Sequence, residues 1–267
     1  MVVYHMDFIK MHGLGNDFIV IDQFARQTID DPAALAKKLC ARGFSVGADG
    51  LVLVLPSDKA DARMRIFNPD GSEPEMCGNA IRCVARFLYE SGHRPKTRMT
   101  IDTLAGIMDI TLRLENGHFA AASVDMGAPV CIGEHVIPVG AVMARFAAVS
   151  TGNPHAVTWD IYPDDETFRR HGPIIERHEY FPAGTNVEFV SIESRSHARI
   201  RVWERGAGPT LACGTGATAS FFALVRAGLI DKQAVMTLPG GDLEFELLEN
   251  GHAVMTGPAE ASYRGVI

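Results

Sequence analysis

"RIFNPDGSEPEMCGNAIRCVARFLYESG" (65–92) can be laid over "RVWERGAGPTLACGTGATASFFALVRAG" (201–228) without a gap. The offset is 136 residues throughout: Arg65 falls on Arg201, Phe67 on Trp203, Cys77 on Cys213, Gly78 on Gly214, Leu88 on Leu224 and Gly92 on Gly228. Two upstream blocks follow in the same order with a shift of one. "GNDFIV" (15–20) aligns with "GNPHAV" (152–157), and "GADGLVLV" (47–54) with "GTNVEFV" (184–190), both at an offset of 137. Three ordered blocks at nearly one spacing indicate a duplicated half of roughly 130 residues, and a repeat settles the architecture before any local propensity does.

Each half reads alike. Short apolar runs separated by turn signals such as "NPDG" and "PGG" predict strands. These are "DFIVID", "LVLVL" and "MRIF" in the first half, and "HAVTW", "VEFVSI", "ARIRVW" and "LEFELL" in the second. One helix per half follows the cysteine, at 78–91 and 214–227, and stops before a glycine suited to a left-handed C′ position. "AIRCVARFLY" and "ATASFFALV" are apolar around most of their surface, which marks buried helices. The expected fold is α+β: two pseudo-symmetric domains, each a mainly antiparallel, barrel-like sheet around a central helix. The expected boundaries are 1–124, completed by 259–267, and 125–258, with "VDMGAP" (124–129) as the crossing. The acidic run "PDDE" (163–166) reads as solvated surface.

Bulk properties narrow the function classes. The chain has 267 residues, 47% hydrophobic and 21% charged, with a formal net charge of −7 and no basic block, so a nucleic-acid partner is not expected. No apolar run approaches the ~20 residues of a membrane span. The opening "MVVYHMDFIKMHG" lacks a signal-peptide core. A cytoplasmic protein is expected. Five cysteines (Cys40, Cys77, Cys83, Cys131 and Cys213) form no CxxC and no zinc-ligand spacing, and no phosphate-binding glycine fingerprint occurs. Metal: none; cofactor: none. Cys83, Cys40 and Cys131 read as packing residues.

The paired thiols carry the chemistry. A thiol at a helix N-terminus ionises more readily, with a pKa lowered to roughly 3.5–7.5 in favourable cases. Two similar domains, each with such a thiol, could face one cleft. One thiolate then takes a proton from carbon while the opposite thiol delivers one, which inverts a stereocentre. Backbone N–H groups at Gly78–Asn79 and Gly214–Thr215 suit a substrate carboxylate, with the glycines permitting close approach.

"MHGLGNDFIVID", "RIFNPDGSEPEMCGNAIRC", "TGNPHAV", "GTNVEFV" and "ERGAGPTLACGTGA", in that order across residues 11–218, resemble the signature blocks of the diaminopimelate epimerase family. The resemblance implies a pyridoxal-phosphate-independent enzyme that interconverts LL- and meso-diaminopimelate for lysine and peptidoglycan synthesis, commonly as a homodimer. It implies that Cys77 and Cys213 are the acid/base thiols, and that Gly78, Asn79, Gly214 and Thr215 hold the reacting carboxylate. Asn16, Asn68, Asn153 and Asn186 line the pocket in that reading. Arg205 pairs with the distal carboxylate, and Glu204 and His155 lie near the reacting amino group. "GFSVGADG" (43–50), Pro209 and Thr218 depart from the family's usual residues without removing a proposed group. Rival readings are a racemase of another amino acid such as histidine, a thiol–disulfide switch between Cys77 and Cys213, and a non-catalytic amino-acid binder.

Overall fold

The computed structural model describes residues 6–25 and 29–267. Its elements in chain order are β1 (Asp7–Gly13), β2 (Asn16–Asp22), α1 (Pro32–Leu39), β3 (Gly50–Leu55), β4 (Ala62–Phe67), α2 (Gly78–Glu90), β5 (Arg98–Thr103), β6 (Gly106–Glu115) and β7 (His118–Asp125). There follow β8 (Val130–Val139), β9 (Val142–Ser150), β10 (Pro154–Thr158), α3 (Asp165–Glu176), β11 (Asn186–Ser194), β12 (His197–Glu204) and β13 (Gly208–Thr210). The chain ends with α4 (Gly214–Arg226), β14 (Gln233–Leu238), β15 (Gly241–Leu247), β16 (Ala253–Gly257) and β17 (Glu260–Val266). Two compact units result: the described residues up to Val124 together with Gly257–Ile267, and Asp125–Thr256.

The two units have the same topology. In the first, the order β1-β2-β3-β4-β5-β6-β7 is paired antiparallel, parallel, antiparallel, parallel, antiparallel, antiparallel. In the second, β9-β10-β11-β12-β14-β15-β16 repeats those six senses in order. An outer antiparallel strand completes each, β17 beside β1 and β8 beside β9. The sheet is thus mainly antiparallel with two parallel pairs per unit. Its helix packs inside it: α4 lies against β9, β10, β11, β12, β14 and β15. Six strands at ~4.8 Å spacing are wider than a helix ~10 Å across, so the sheet must curl to reach it. The expectation of an α+β fold with a sheet around a central helix is borne out.

The expected one helix per half is too few. α1 and α3 were not anticipated, and the parallel pairs explain them. Strands β2 and β3, like β10 and β11, run parallel, so the chain must cross over between them, and such connections are commonly helical. Both helices have local start signals. Asp31 caps α1 by accepting from the N–H of Ala34 at 2.9 Å, with Pro32 at the first position. Asp164 caps α3 through the N–H of Thr167 at 2.8 Å. "PDDE" is therefore a helix start, although Asp164, Asp165 and Glu166 stay exposed.

With a helix on either face, the central strands are buried on both sides and read as unbroken apolar runs. Leu51 and Leu53 of β3 meet Ala36 and Leu39 of α1, while Val52 and Val54 are equally buried on the opposite face. In the second unit Val187 and Phe189 of β11 meet Phe168 and Ile175 of α3. Glu188 alternates with them and points the other way.

Ladder register corrects one alignment. Leu51 pairs with Phe67 and Val52 with Ile66, whereas Val187 pairs with Trp203 and Glu188 with Val202. The β3/β11 block therefore follows the 136-residue offset of the cysteine block, and not the 137 that its glycines suggest. A one-residue slip exchanges the two faces of a strand. The structural counterpart of Glu188 is thus Val52, and that of Asn186 is Gly50.

Candidate active site

Cys77 and Cys213 are the N-cap residues of α2 and α4, both with extended backbone, φ −141° and −126°. The helices end alike. Gly92 and Gly228 take φ of +78° and +72° after the C-caps Ser91 and Ala227, the left-handed conformation a glycine adopts without Cβ strain.

Around Cys77, partly exposed, the first unit builds a relay of amides. The side chain of Asn16, at the start of β2, donates to Oδ2 of Asp49 at 2.9 Å. Its Oδ1 accepts from Nδ2 of Asn79 at 3.0 Å and lies 3.9 Å from Sγ of Cys77. Asn79 in turn accepts at Oδ1 from Arg82 at 3.0 Å. Arg82 is fully buried on α2, and it also donates to the carbonyls of Gly78 at 3.0 Å and Pro258 at 3.1 Å. Burial holds its guanidinium down to about 10, so it stays cationic at neutral pH, beside Cys77. A fixed cation near a thiol favours the thiolate. On the far side of Asn16, Arg42 binds both Asp49 and Asp17, and Lys10 binds Asp17.

The second unit surrounds Cys213 differently. The thiol is 7% exposed and accepts from the N–H of Gly216 at 3.3 Å, with the hydroxyl of Thr215 at 3.5 Å. Nδ2 of Asn153 donates to that hydroxyl at 3.5 Å. Oδ1 of Asn153 faces Nε2 of His155 at 3.0 Å, and Nδ1 of His155 faces Oε1 of Glu188 at 2.7 Å. His155 and Glu188 are both wholly buried. The expected lowering of the thiol pKa at a helix N-terminus is reversed here. Burial pushes the Cys213 thiol well above its ordinary range, and the carboxylates of Glu204 and Glu188 push it further. The helix-end N–H groups act against that but do not outweigh loss of water plus two acids. Alkylation of Cys213 in the unliganded protein should therefore keep accelerating at alkaline pH where an ordinary thiol has levelled off. A plateau near pH 9, read by peptide mass spectrometry, would contradict this.

The other expected residues bind the backbone or nearby side chains. Asn186, at the start of β11, donates to the carbonyl of Pro154 at 3.0 Å and accepts from the N–H of Arg205 at 2.9 Å, so both ends of its amide serve the chain. Arg205 is exposed, and its guanidinium reaches the carbonyl of Ala183 at 3.0 Å. Glu204 accepts from the hydroxyl of Thr210 at 2.7 Å. Asn68 binds within its own turn, donating to Oγ of Ser72 at 2.9 Å, and does not join the Asn16–Asn79 relay. Gly78 and Gly214 open the two helices, as the sequence suggested.

The diaminopimelate epimerase family model matches residues 8–132 and 147–262. The chain belongs to this family. A diaminopimelate epimerase of Desulfitobacterium hafniense is 48% identical over 279 residues, covering 98% of each chain. One from Methanococcus maripaludis is 46% identical over 276 residues, covering 98% of this chain and 99% of its own. Among solved structures, a hydroxyproline epimerase from Agrobacterium vitis with bound trans-4-hydroxy-L-proline superposes with a TM-score of 0.73 at 19% identity. That match covers 98% of this chain and 91% of the other. A PhzF-family phenazine biosynthesis protein of Bacillus anthracis superposes with a TM-score of 0.74 at 16% identity, covering 99% of both. At such identities the two structures speak for the fold alone.

Three polar residues beside the thiols went unnoticed in the sequence: Asp49, Arg82 and Glu188. The repeat carried a signal for two of them. Arg82 stands where the second half has Thr218, and Glu188 where the first has Val52. A charged residue in one copy against a small or apolar residue in the other is a departure that core packing does not require.

Proposed function

We propose that this protein, like its named relatives, interconverts LL- and meso-diaminopimelate, and that Cys77 and Cys213 are the acid and base. The observation that carries this reading is the placing of one thiol at the N-cap of the buried helix in each of two topologically equal units. In the proposed reaction one thiolate removes the α-proton. The bonding pair of the C–H bond moves toward the carboxylate, and the opposite thiol delivers its proton to the other face of the planar carbon. The carbon is inverted, and the two sulfurs exchange their protonation states. Charge on the carboxylate is met by N–H groups of the first helical turns, which lack intrahelical partners. Gly78, Asn79, Gly214 and Thr215 supply them.

Asn16, Asn68, Asn153 and Asn186 bound the substrate pocket in this reading, with Glu204 and His155 toward the amino group and Arg205 toward the distal carboxylate. The planar fork of arginine suits a carboxylate bidentately. Arg205→Ala should then raise KM for diaminopimelate by about 10² while changing kcat less, since a charge-assisted pair contributes about 1.5–3 kcal/mol. Unchanged affinity would remove Arg205 from the distal site. A homodimer in the cytoplasm belongs to the same proposal. Among the described residues no helix is long and apolar enough to cross a membrane.

Proton NMR of LL-diaminopimelate with the reduced protein in D2O, without pyridoxal phosphate, tests the reaction. Loss of the α-proton signal with appearance of the meso isomer supports it. No exchange with the thiols confirmed reduced overturns the substrate, and histidine is the next amino acid under the same conditions.

A further inference from the structure

The two copies differ most sharply inside the second unit. His155 pairs with Asn186 in the parallel ladder of β10 and β11, as Phe18 pairs with Gly50 in that of β2 and β3. His155 and Glu188 therefore occupy the places held by Phe18 and Val52 in the first unit, all four within 2% of full burial. The fold fills this space with two apolar side chains in one copy and an ionisable pair in the other, so the pair is not a requirement of packing. A third substitution accompanies it. Gly216 stands where the first unit has Ala80, and a Cβ there would lie 2.6 Å from Oε1 of Glu188 and 3.3 Å from Sγ of Cys213. The glycine makes room for the carboxylate, which with the thiol flanks the first turn of α4.

The hydrogen bonds of His155 fix the proton count. Nε2 faces a carbonyl oxygen, Oδ1 of Asn153, which also accepts from the hydroxyl of Thr151 at 3.0 Å. Nε2 must therefore carry a hydrogen. Nδ1 faces Oε1 of Glu188 at 2.7 Å, so a second proton lies on that contact, on the ring or on the acid. Among the described residues Oε2 of Glu188 has no hydrogen-bond partner, and it is buried. An ionised carboxylate half-satisfied in this way is costly, and burial raises the affinity of Glu188 for its proton. Among the described residues the titratable groups facing the pair are Cys213 at the start of α4 and Glu204 on β12. The strand on its other side, β9, sets Val149 opposite His155.

We propose that Glu188 is a positioning residue for the reaction: it orients the ring of His155 against Asn153 and shares one proton with it behind Cys213. The chain Glu188–His155–Asn153–Thr215 then runs from a buried acid to the hydroxyl beside the catalytic sulfur. With its shared proton the pair is neutral and Cys213 can ionise. Without it a net negative charge joins Glu204 beside the sulfur, and thiolate formation is suppressed. Activity should therefore fall as pH rises through the titration of the pair.

This inference rests on the two-thiol reading, and its test separates the two. Glu188→Gln keeps the shape and removes the charge. The expected result is a kcat at least thirtyfold lower with KM changed less than threefold. The position then carries no negative charge at any pH, so the alkaline fall of kcat assigned to the pair should disappear. The imidazole N–H signals of His155, followed by proton–nitrogen NMR of the free protein and assigned with His155→Phe, should lose the strongly hydrogen-bonded proton of the contact with Glu188. Glu188→Asp, retaining the charge, should restore part of that hydrogen-bonded signal and part of kcat. The combination Glu188→Val, His155→Phe and Gly216→Ala copies the first unit and should fold, judged by thermal melting, without activity. A Glu188→Gln protein with a lower Tm but unchanged kcat, pH profile and His155 imidazole signals would make Glu188 merely structural. Should Glu188→Gln not fold, a folded triple variant with wild-type kcat would overturn the proposal equally. Should the wild-type protein fail to exchange the α-proton of diaminopimelate, the substrate reading falls, while the His155 imidazole signals still decide the pairing.

Discussion

Serine at position 77 or at position 213 should abolish net epimerisation, with kcat reduced by about 10³-fold or more in either single variant. Positioned proton transfer contributes roughly 10²–10⁴-fold, and a hydroxyl at these helix ends is too weak an acid to ionise at neutral pH. The two losses should not add in the double variant, because one inversion needs both groups and removing either stops the cycle. Serine replaces sulfur with little change of shape at an N-cap, a position it favours, so the folded state should survive. Chiral analysis of the product, with melting curves of each variant, gives the answer. A single serine variant within tenfold of wild type would show that its sulfur is not an acid or base in this reaction. Cys83→Ser is the internal control: that thiol is buried within α2, where burial pushes it up to about 12. A serine there should change stability more than kcat.

Arg82→Met should cost the first unit more stability than any other substitution considered. The guanidinium is wholly buried and donates to Oδ1 of Asn79 and to the carbonyls of Gly78 and Pro258. Methionine fills a similar volume but donates nothing. Each buried acceptor left unpaired costs about 1–3 kcal/mol. A total of about 4 kcal/mol corresponds to a drop in Tm of roughly 10 °C for a chain of this size. The bond to Pro258 also ties the C-terminal segment that carries β17 to α2, so protection of β17 amides from hydrogen exchange should fall with it. Activity should drop in the folded variant too, since Asn79 and Asn16 lose the donor that fixes their amides beside Cys77. A variant melting within 2 °C of wild type would mean that water or a rearranged side chain satisfies those acceptors.

Both expectations depend on features of unequal visibility in the chain. The duplication, the two N-cap thiols and the C′ glycines were legible because they are local and repeat at a fixed spacing. A helix that begins at Cys-Gly and ends at glycine states its own limits, and an apolar run such as "LVLVL" announces a strand buried on both faces. α1 and α3 were less legible: Asp31-Pro32 and Asp164 signal starts, but the demand for a crossover comes from parallel pairing, which no local pattern displays.

The sequence by itself determined the two equal halves, the sheet-and-helix class, the two sulfurs and the family. The tertiary structure decided which groups the sulfurs meet. His155 and Glu188 are 33 residues apart and touch only because β10 and β11 pair in parallel at one register. A slip of a single residue would turn Glu188 toward α3. Arg82 and Pro258 are 176 apart and meet because β17 returns beside β1. The Cys213 environment shows the same division. Its place at a helix end, readable in the chain, suggested an easily ionised thiol, while burial and two acids brought in by β11 and β12 reverse the direction. Short-range signals fix backbone form because hydrogen bonding and side-chain period act over a few residues. Electrostatics at a buried site is set by whichever charges the fold brings close, and those come from strands far apart in sequence.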